Sequence, residues 1–304
     1  MTVLQNLSDD LAAAVTKVSP SLVAIHARRR IPSSGILWRP DVIVTNHHTL
    51  QREEGITVTL HDGSRVSASL AGRDPSTDVA VLRLDQPAGP AVGLATADPA
   101  IGQLVLALGR PGKAVTAALG IVSAVGGAWR TWSGGRIDHF VRLDVAVYDG
   151  FSGGALSDAE GLVIGMNSSG LSRASAMTIP FTTVVRVAEQ LLATGHVRRG
   201  YIGLGLQPVR LPSAAVQRHA LPQDVGLMVV SLDEHSPATT AGMQLGDVIV
   251  AFDGRPAAEP SDLLAQLSGD RVGTTAVLRV VRAGELVEVP VVIGERAHST
   301  GRKQ

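Results

Sequence analysis

The chain has 304 residues, 45% of them hydrophobic, which is enough to bury one large or two medium cores. Its 27 basic and 27 acidic side chains cancel, so no net charge draws it to nucleic acid or to an anionic membrane. Cysteine is absent, which excludes disulfides, a thiolate nucleophile and cysteine-ligated zinc.

In chain order, Leu7, Leu11, Ala14, Val15 and Val18 fall on one helical face, predicting a helix over 7–18 with Ser8 as its cap. From Leu22 to about Ile179 short β-branched runs separated by glycine take over. They are Leu22–His26, Val42–Thr45, Ile56–Leu60, Val79–Leu84, Leu104–Leu108, Gly120–Ala124, Phe140–Leu143 and Leu162–Met166. Strands spaced this closely predict a mostly β barrel or sandwich, and aromatics at 3% with 33 glycines fit that better than a helical bundle. A helix is expected over Thr183–Ala193, with Gly195 as its C-cap. Residues 196–200 read as a linker. A second, smaller β-rich unit follows over 201–296, with one helical segment at Pro260–Leu267. The polar end, 297–304, reads as a disordered tail.

No apolar run reaches the roughly 18 residues of a membrane-spanning helix. The N-terminus has no basic start and carries Asp9 and Asp10, so as written it is not a leader and the chain reads as cytoplasmic. The nine histidines lack metal-ligand spacing, so neither metal nor cofactor is expected. The basic run Arg28–Arg30 reads as a solvated turn.

Three segments carry chemistry. Gly150-Phe151-Ser152-Gly153-Gly154 places a serine in a turn where backbone amides can converge. A serine hydroxyl needs a base to take its proton and amides to hold the oxyanion. Val44-Thr45-Asn46-His47-His48 ends an apolar strand in histidines, and Asp74-Pro75-Ser76-Thr77-Asp78 puts an acid before the strand Val79–Leu84. The order His, Asp, Ser is that of chymotrypsin-like enzymes. The Gly-x-Ser-x-Gly spacing also spells the nucleophile elbow of α/β-hydrolases. An elbow needs a helix after the serine, whereas Gly161–Met166 reads as a strand.

With Leu106–Pro111, Gly120–Ser123 and Leu143–Ala146, these motifs resemble the bacterial HtrA (Deg) proteases over roughly residues 7–296. The resemblance implies a chymotrypsin-like double β-barrel over 1–195 and a PDZ domain, a β-sandwich with helices, over 201–296. It implies that His48 rather than His47 is the base, with Asp78 orienting it, Ser152 as nucleophile, and the N–H groups of Gly150 and Ser152 as the oxyanion hole. Counting back six residues from Ser152 places Ala146 at the base of the specificity pocket, with Asp144 on the same strand. A small apolar side chain before the scissile bond is expected. The segment Met166-Asn167-Ser168-Ser169-Gly170 is expected to pair with the substrate backbone. Phe151 stands where the family usually has Asn.

The segment from Gly226 to Gly254 resembles the bacterial PDZ pattern. Tyr201, Ile202, Gly203 and Leu204 match its carboxylate-binding loop, with Leu264 on the groove-side helix. The loop Gly126–Asp138, with Trp129 and Trp132, matches the family's sensor loop. The resemblance further implies ATP-independent cleavage of misfolded or exposed polypeptides, tuned by C-terminal peptides at the PDZ domain, in a trimer of the cell envelope. The trimer's usual N-terminal aromatics are missing, since none precedes Trp38. The alternative function is a latent protease acting mainly as a chaperone or peptide-binding protein.

Overall fold

A computed structural model describes residues 2–29, 31–172, 177–267 and 269–295. The tail expected at 297–304 lies outside these residues, as does Arg30. Contacts divide the chain between Val197 and Arg198 into two compact units.

The first unit opens with helix α1 (Val3–Val18), whose N-cap is Thr2 and not Ser8. The Thr2 hydroxyl accepts the Gln5 N–H, so the helix begins a turn earlier than its apolar stripe. Strands β1 (Leu22–His26), β2 (Ser33–Arg39), β3 (Val42–Asn46), β4 (Ile56–Thr59), β5 (Arg65–Asp74) and β6 (Val79–Leu84) close into a barrel in the order β1-β2-β3-β6-β5-β4. Next come β7 (Leu104–Gly109) and β8 (Thr116–Gly126). A two-stranded ribbon, β9 (Trp129–Arg130) and β10 (Arg136–Ile137), follows. Then β11 (Phe140–Asp144), β12 (Ala155–Asp158), β13 (Val163–Ser168) and β14 (Met177–Pro180) complete a second barrel, ordered β11-β14-β13-β12-β7-β8. Every strand is antiparallel to its neighbours, so each barrel closes without an exposed hydrogen-bonding edge.

One apolar core spans both barrels. It joins Val44, Val79 and Val81 to Leu106, Leu108, Met166 and Ile179, and takes in Ala14 and Val18 of α1. Helix α2 (Phe181–Thr194) packs Val184, Val187, Ala188 and Leu191 into the same core and ends on Gly195, as its periodicity predicts.

The second unit contains β15 (Gly200–Tyr201), β16 (Leu204–Arg210), α3 (Ser213–Arg218), β17 (Val225–Leu232), α4 (Pro237–Thr240), β18 (Val248–Phe252), β19 (Arg255–Pro256), α5 (Pro260–Gln266), β20 (Thr275–Arg282), β21 (Glu285–Val292) and β22 (Gly294–Glu295). Its main sheet runs β16-β17-β18-β20-β21, leaving β16 at an edge, with α5 beside it. The core is built from Leu227, Ile249, Phe252, Leu278, Val280 and Val291.

Asp247 is buried in this unit, and both of its carboxylate oxygens are hydrogen-bonded. Arg282 donates from Nε to Oδ1 and from Nη2 to Oδ2, each at 2.7 Å, and Gln244 N–H donates to Oδ2 at 2.8 Å. Removing one partner strands a buried charge. Arg282→Met is therefore expected to cost the second unit roughly 3 kcal/mol. Hydrogen exchange on the full chain should quicken in β18 and β20 and stay unchanged in β1–β6.

Candidate active site

The acid sits at the N-terminal lip of β6. Its turn is built by Asp74, whose buried carboxylate accepts the Ser76 N–H and the hydroxyls of Ser76 and Thr77. This turn delivers Asp78 in a left-handed conformation, φ 61°, which Asp tolerates better than most residues. Asp78's own carbonyl is held by the His47 N–H at 3.1 Å and by Asn46 Nδ2 at 3.0 Å. The Thr-Asn-His-His and Asp-Pro-Ser-Thr-Asp motifs thus serve one junction between β3 and β6.

His47 and His48 occupy a short 3₁₀ turn after β3. His48 turns to the acid: its N–H lies 3.0 Å from Asp78 Oδ1, and its Nδ1 lies 2.8 Å from Oδ2. Ser168, at the end of β13, donates its hydroxyl to the same Oδ2 at 2.6 Å. With Nδ1–H committed to a carboxylate, the neutral imidazole presents Nε2 as an acceptor. His47 points elsewhere. Its Nδ1 is buried and has no partner among the described residues.

The serine loop is anchored twice. On one side Phe151, fully buried, inserts into the second barrel's core with Val105, Ala107, Val141 and Leu156, and Tyr148 stacks on it edge-to-face at 5.5 Å. On the other, Ser34 of β2 donates its N–H to Ser152 O at 3.1 Å and its hydroxyl to Gly150 O at 2.6 Å. Gly150 (φ 90°) and Gly153 (φ 84°) are required, because a Cβ would lie 2.5 Å from Pro111 Cβ and 2.2 Å from Ser34 O respectively. With the Gly150 carbonyl tied to Ser34, the N–H groups of Gly150 and Ser152 have no acceptor among the described residues.

The structure thus gathers His48, Asp78 and Ser152 into one cluster, with the two amides beside the serine. The Ser152 hydroxyl is not bonded directly to His48. Its partner is Ser169 Oγ at 3.0 Å, and Ser169 Oγ lies 3.4 Å from His48 Nε2. Neither the contacts of Ser169 with Ser152 and His48 nor the core role of Phe151 follows from the sequence reading, which places Ser169 only in the substrate-pairing segment. The apolar character of Phe151 between two glycines was the one available signal for the latter.

The remaining expectations divide. Ala146 and Asp144 are both exposed, and β11 ends at Asp144, so strand alternation does not carry through to Ala146. Met166 and Asn167 differ from the expected substrate edge. Each has a backbone partner on both sides, β14 on one and the Gly153–Ala155 segment on the other, and their side chains are buried. Asn167 Nδ2 instead ties the Ala155 carbonyl at 2.8 Å. The open stretch begins where β13 ends, at Ser168, and continues through exposed Ser169 and Gly170.

In the second unit, Tyr201 ends β15, Gly203 has φ 78°, and Leu204 starts the edge strand β16. The carbonyls of Ile202 and Gly203 are bonded to Ala238 and Asp233, while their N–H groups have no acceptor among the described residues. Leu264 is exposed on α5, whereas Leu263 is buried in the core. No three His, Asp or Glu side chains converge as metal ligands among the described residues. No described helix is long and apolar enough to cross a membrane.

Two closed barrels meeting at a His–Asp–Ser cluster define the trypsin-like serine peptidase class. Residues 33–166 match the Trypsin-like peptidase domain family and residues 200–293 the PDZ domain. The chain is 36% identical over 305 residues to a probable periplasmic serine endoprotease DegP-like of Brucella suis biovar 1 (strain 1330), covering 97% of this chain and 58% of that protein. It is 35% identical over 274 residues to one so named from Chlamydia muridarum (strain MoPn / Nigg), covering 88% and 54%. It thus spans little more than half the length of these relatives. Among solved structures it is similar to the serine endoprotease from Yersinia pestis, with TM-score 0.77, 29% identity and coverage of 94% of this chain and 98% of that one. It is also similar to the HtrA-type protease AlgW with tripeptide, with TM-score 0.76, 29% identity and coverage of 96% and 99%. The chain belongs to the HtrA/Deg family.

Two outcomes follow from this geometry. Phe151→Ala removes a fully buried ring from the wall behind the serine and is expected to destabilise the first unit by about 3–5 kcal/mol. Urea unfolding followed by tryptophan fluorescence reads that unit alone, because Trp38, Trp129 and Trp132 all belong to it.

Burial first, and then Arg73, hold His47 below the ordinary histidine range. The unfolded chain therefore binds that proton at a higher pH than the fold does. The resulting stability is present above the ordinary histidine value and is lost as the pH falls below it. His26, also lowered mainly by burial, acts in the same direction. Unfolding free energy should drop between about pH 7.5 and pH 5.5. In His47→Gln the drop should shrink without vanishing.

Proposed function

We propose that the protein is a serine endopeptidase, with Ser152 as nucleophile, His48 as general base and Asp78 as the group that orients it. The observation that carries this is the His48 imidazole, held through Nδ1 on a buried carboxylate so that Nε2 faces the serine side of the cleft. Attack by Ser152 Oγ on a peptide carbonyl passes the serine proton to Nε2, and the imidazolium so formed is stabilised by Asp78. The carbonyl oxygen becomes an oxyanion, for which the Gly150 and Ser152 N–H groups stand ready, each worth about 3–4 kcal/mol in a comparable protease. The imidazolium then protonates the leaving amine, and water repeats the sequence to release the acyl group.

The substrate's backbone would lie along Ser168–Gly170. The absence of a carboxylate at Ala146 supports small apolar residues before the scissile bond. A peptide C-terminus would add as a strand to β16, with its carboxylate on the Ile202 and Gly203 amides and its side chains toward Leu264. Misfolded or exposed polypeptides are the substrates that this pairing of modules supports, without ATP. The word periplasmic in the relatives' names supports an envelope location.

A fluorophosphonate probe tests the assignment. It is expected to label the full chain at Ser152, identified by mass spectrometry, and Ser152→Ala should abolish both labelling and cleavage of unfolded casein. Absence of labelling both with and without a peptide ending in a hydrophobic carboxylate would overturn it.

A further inference from the structure

Ser169 is the first residue beyond β13, and three contacts place it between the nucleophile and the base. Its Oγ lies 3.0 Å from Ser152 Oγ and 3.4 Å from His48 Nε2, and its N–H lies 3.4 Å from Ser152 Oγ. One arrangement of the hydrogens satisfies every contact in this bridge. The Asp78 carboxylate can only accept, so neutral His48 carries its proton on Nδ1 and accepts at Nε2. The Ser169 hydroxyl then donates to Nε2. Its single proton is spent there, so it accepts from Ser152. The proton that Ser152 must surrender therefore points at Ser169, not at the base.

Two hydroxyls in series could pass a proton along. Transfer to a general base needs a heavy-atom separation of about 2.6–3.2 Å, and the second leg of this chain is longer. The geometry is that of a hold rather than a relay. Ser169 is also exposed and lies in the stretch where β13 has left the sheet, so the element that holds the serine is one that an extended substrate would engage.

Resting on the assignment of Ser152 as nucleophile, we propose that Ser169 is a positioning residue that latches the Ser152 hydroxyl away from His48 at rest. Pairing of the substrate backbone along Ser168–Gly170 draws Ser169 aside, and Ser152 Oγ then swings to Nε2. Substrate binding and nucleophile activation become one event. A reagent too small to pair with that stretch meets the latched serine.

Fluorophosphonate labelling reads the latched state directly, because the probe has no peptide backbone to release it. Breaking one neutral hydrogen bond predicts that Ser169→Ala labels about twofold to tenfold faster than the wild type. Ser169→Thr, which keeps the hydroxyl, should return the slow rate, an outcome that a merely structural role for Ser169 does not produce. Ser152→Ala supplies the blank. Equal or slower labelling of Ser169→Ala, with the wild type labelling normally, overturns the latch alone. If neither wild type nor Ser169→Ala labels, with or without a peptide ending in a hydrophobic carboxylate, the assignment of Ser152 as nucleophile falls, and the latch falls with it.

Discussion

The Asp78 carboxylate is the fixed point of the first unit. It is almost wholly buried, and a charge so placed is tolerable only when its lone pairs are filled. Two donors come from His48 in the first barrel and one from Ser168 in the second. The same three bonds that make the charge bearable also set the imidazole's tautomer and align the two barrels at the cleft. Stability and site geometry therefore share a set of contacts here. The left-handed backbone at Asp78 is held by two further bonds to its own carbonyl.

On the nucleophile's side the physics is different. The loop Tyr148–Phe151 is held by a buried aromatic ring on one flank and by Ser34 on the other. A phenyl ring in the barrel core gains its hold from burial, on the order of a few kcal/mol, and has no hydrogen-bonding alternative to exchange into. That anchor keeps the Gly150 carbonyl turned toward Ser34 and leaves two amides unoccupied. A polar residue in this place would need partners of its own within the core.

Much of this architecture was legible in the chain. Val79–Leu84 and Leu22–His26 have the bounds that their β-branched runs predict, and helix α2 follows its apolar face. Strand β2 was not legible, because Ser33-Ser34-Gly35 has neither bulk nor alternation. Ser34 is buried because the serine loop lies against it, and Gly35 because Ile25 and Ile43 of the first barrel close over it. Strand β5 hid behind a half-exposed, mixed sequence. The Thr-Asn-His-His, Asp-Pro-Ser-Thr-Asp and Gly-Phe-Ser-Gly-Gly segments could be picked out as chemistry, since each uses residue types that a plain β-barrel does not need. Ser169 could not. Nothing beside it in sequence announces a contact with Ser152, 17 residues earlier, or with His48, 121 earlier. Likewise, two-sided pairing of Met166 and Asn167 is a property of barrel closure, and periodicity carries no information about it.

The bonds from Ser34 to the serine loop bear on how the molecule is made. Synthesis delivers the histidine and the acid with the first barrel, and the serine only midway through the second, ahead of β12, β13 and β14. The turn that shapes the amides closes against β2, so neither half carries a working cleft by itself. A nascent or broken chain exposes at most an imidazole on a carboxylate, which cuts nothing. The proposed cleft is thereby incomplete until both halves have folded and met.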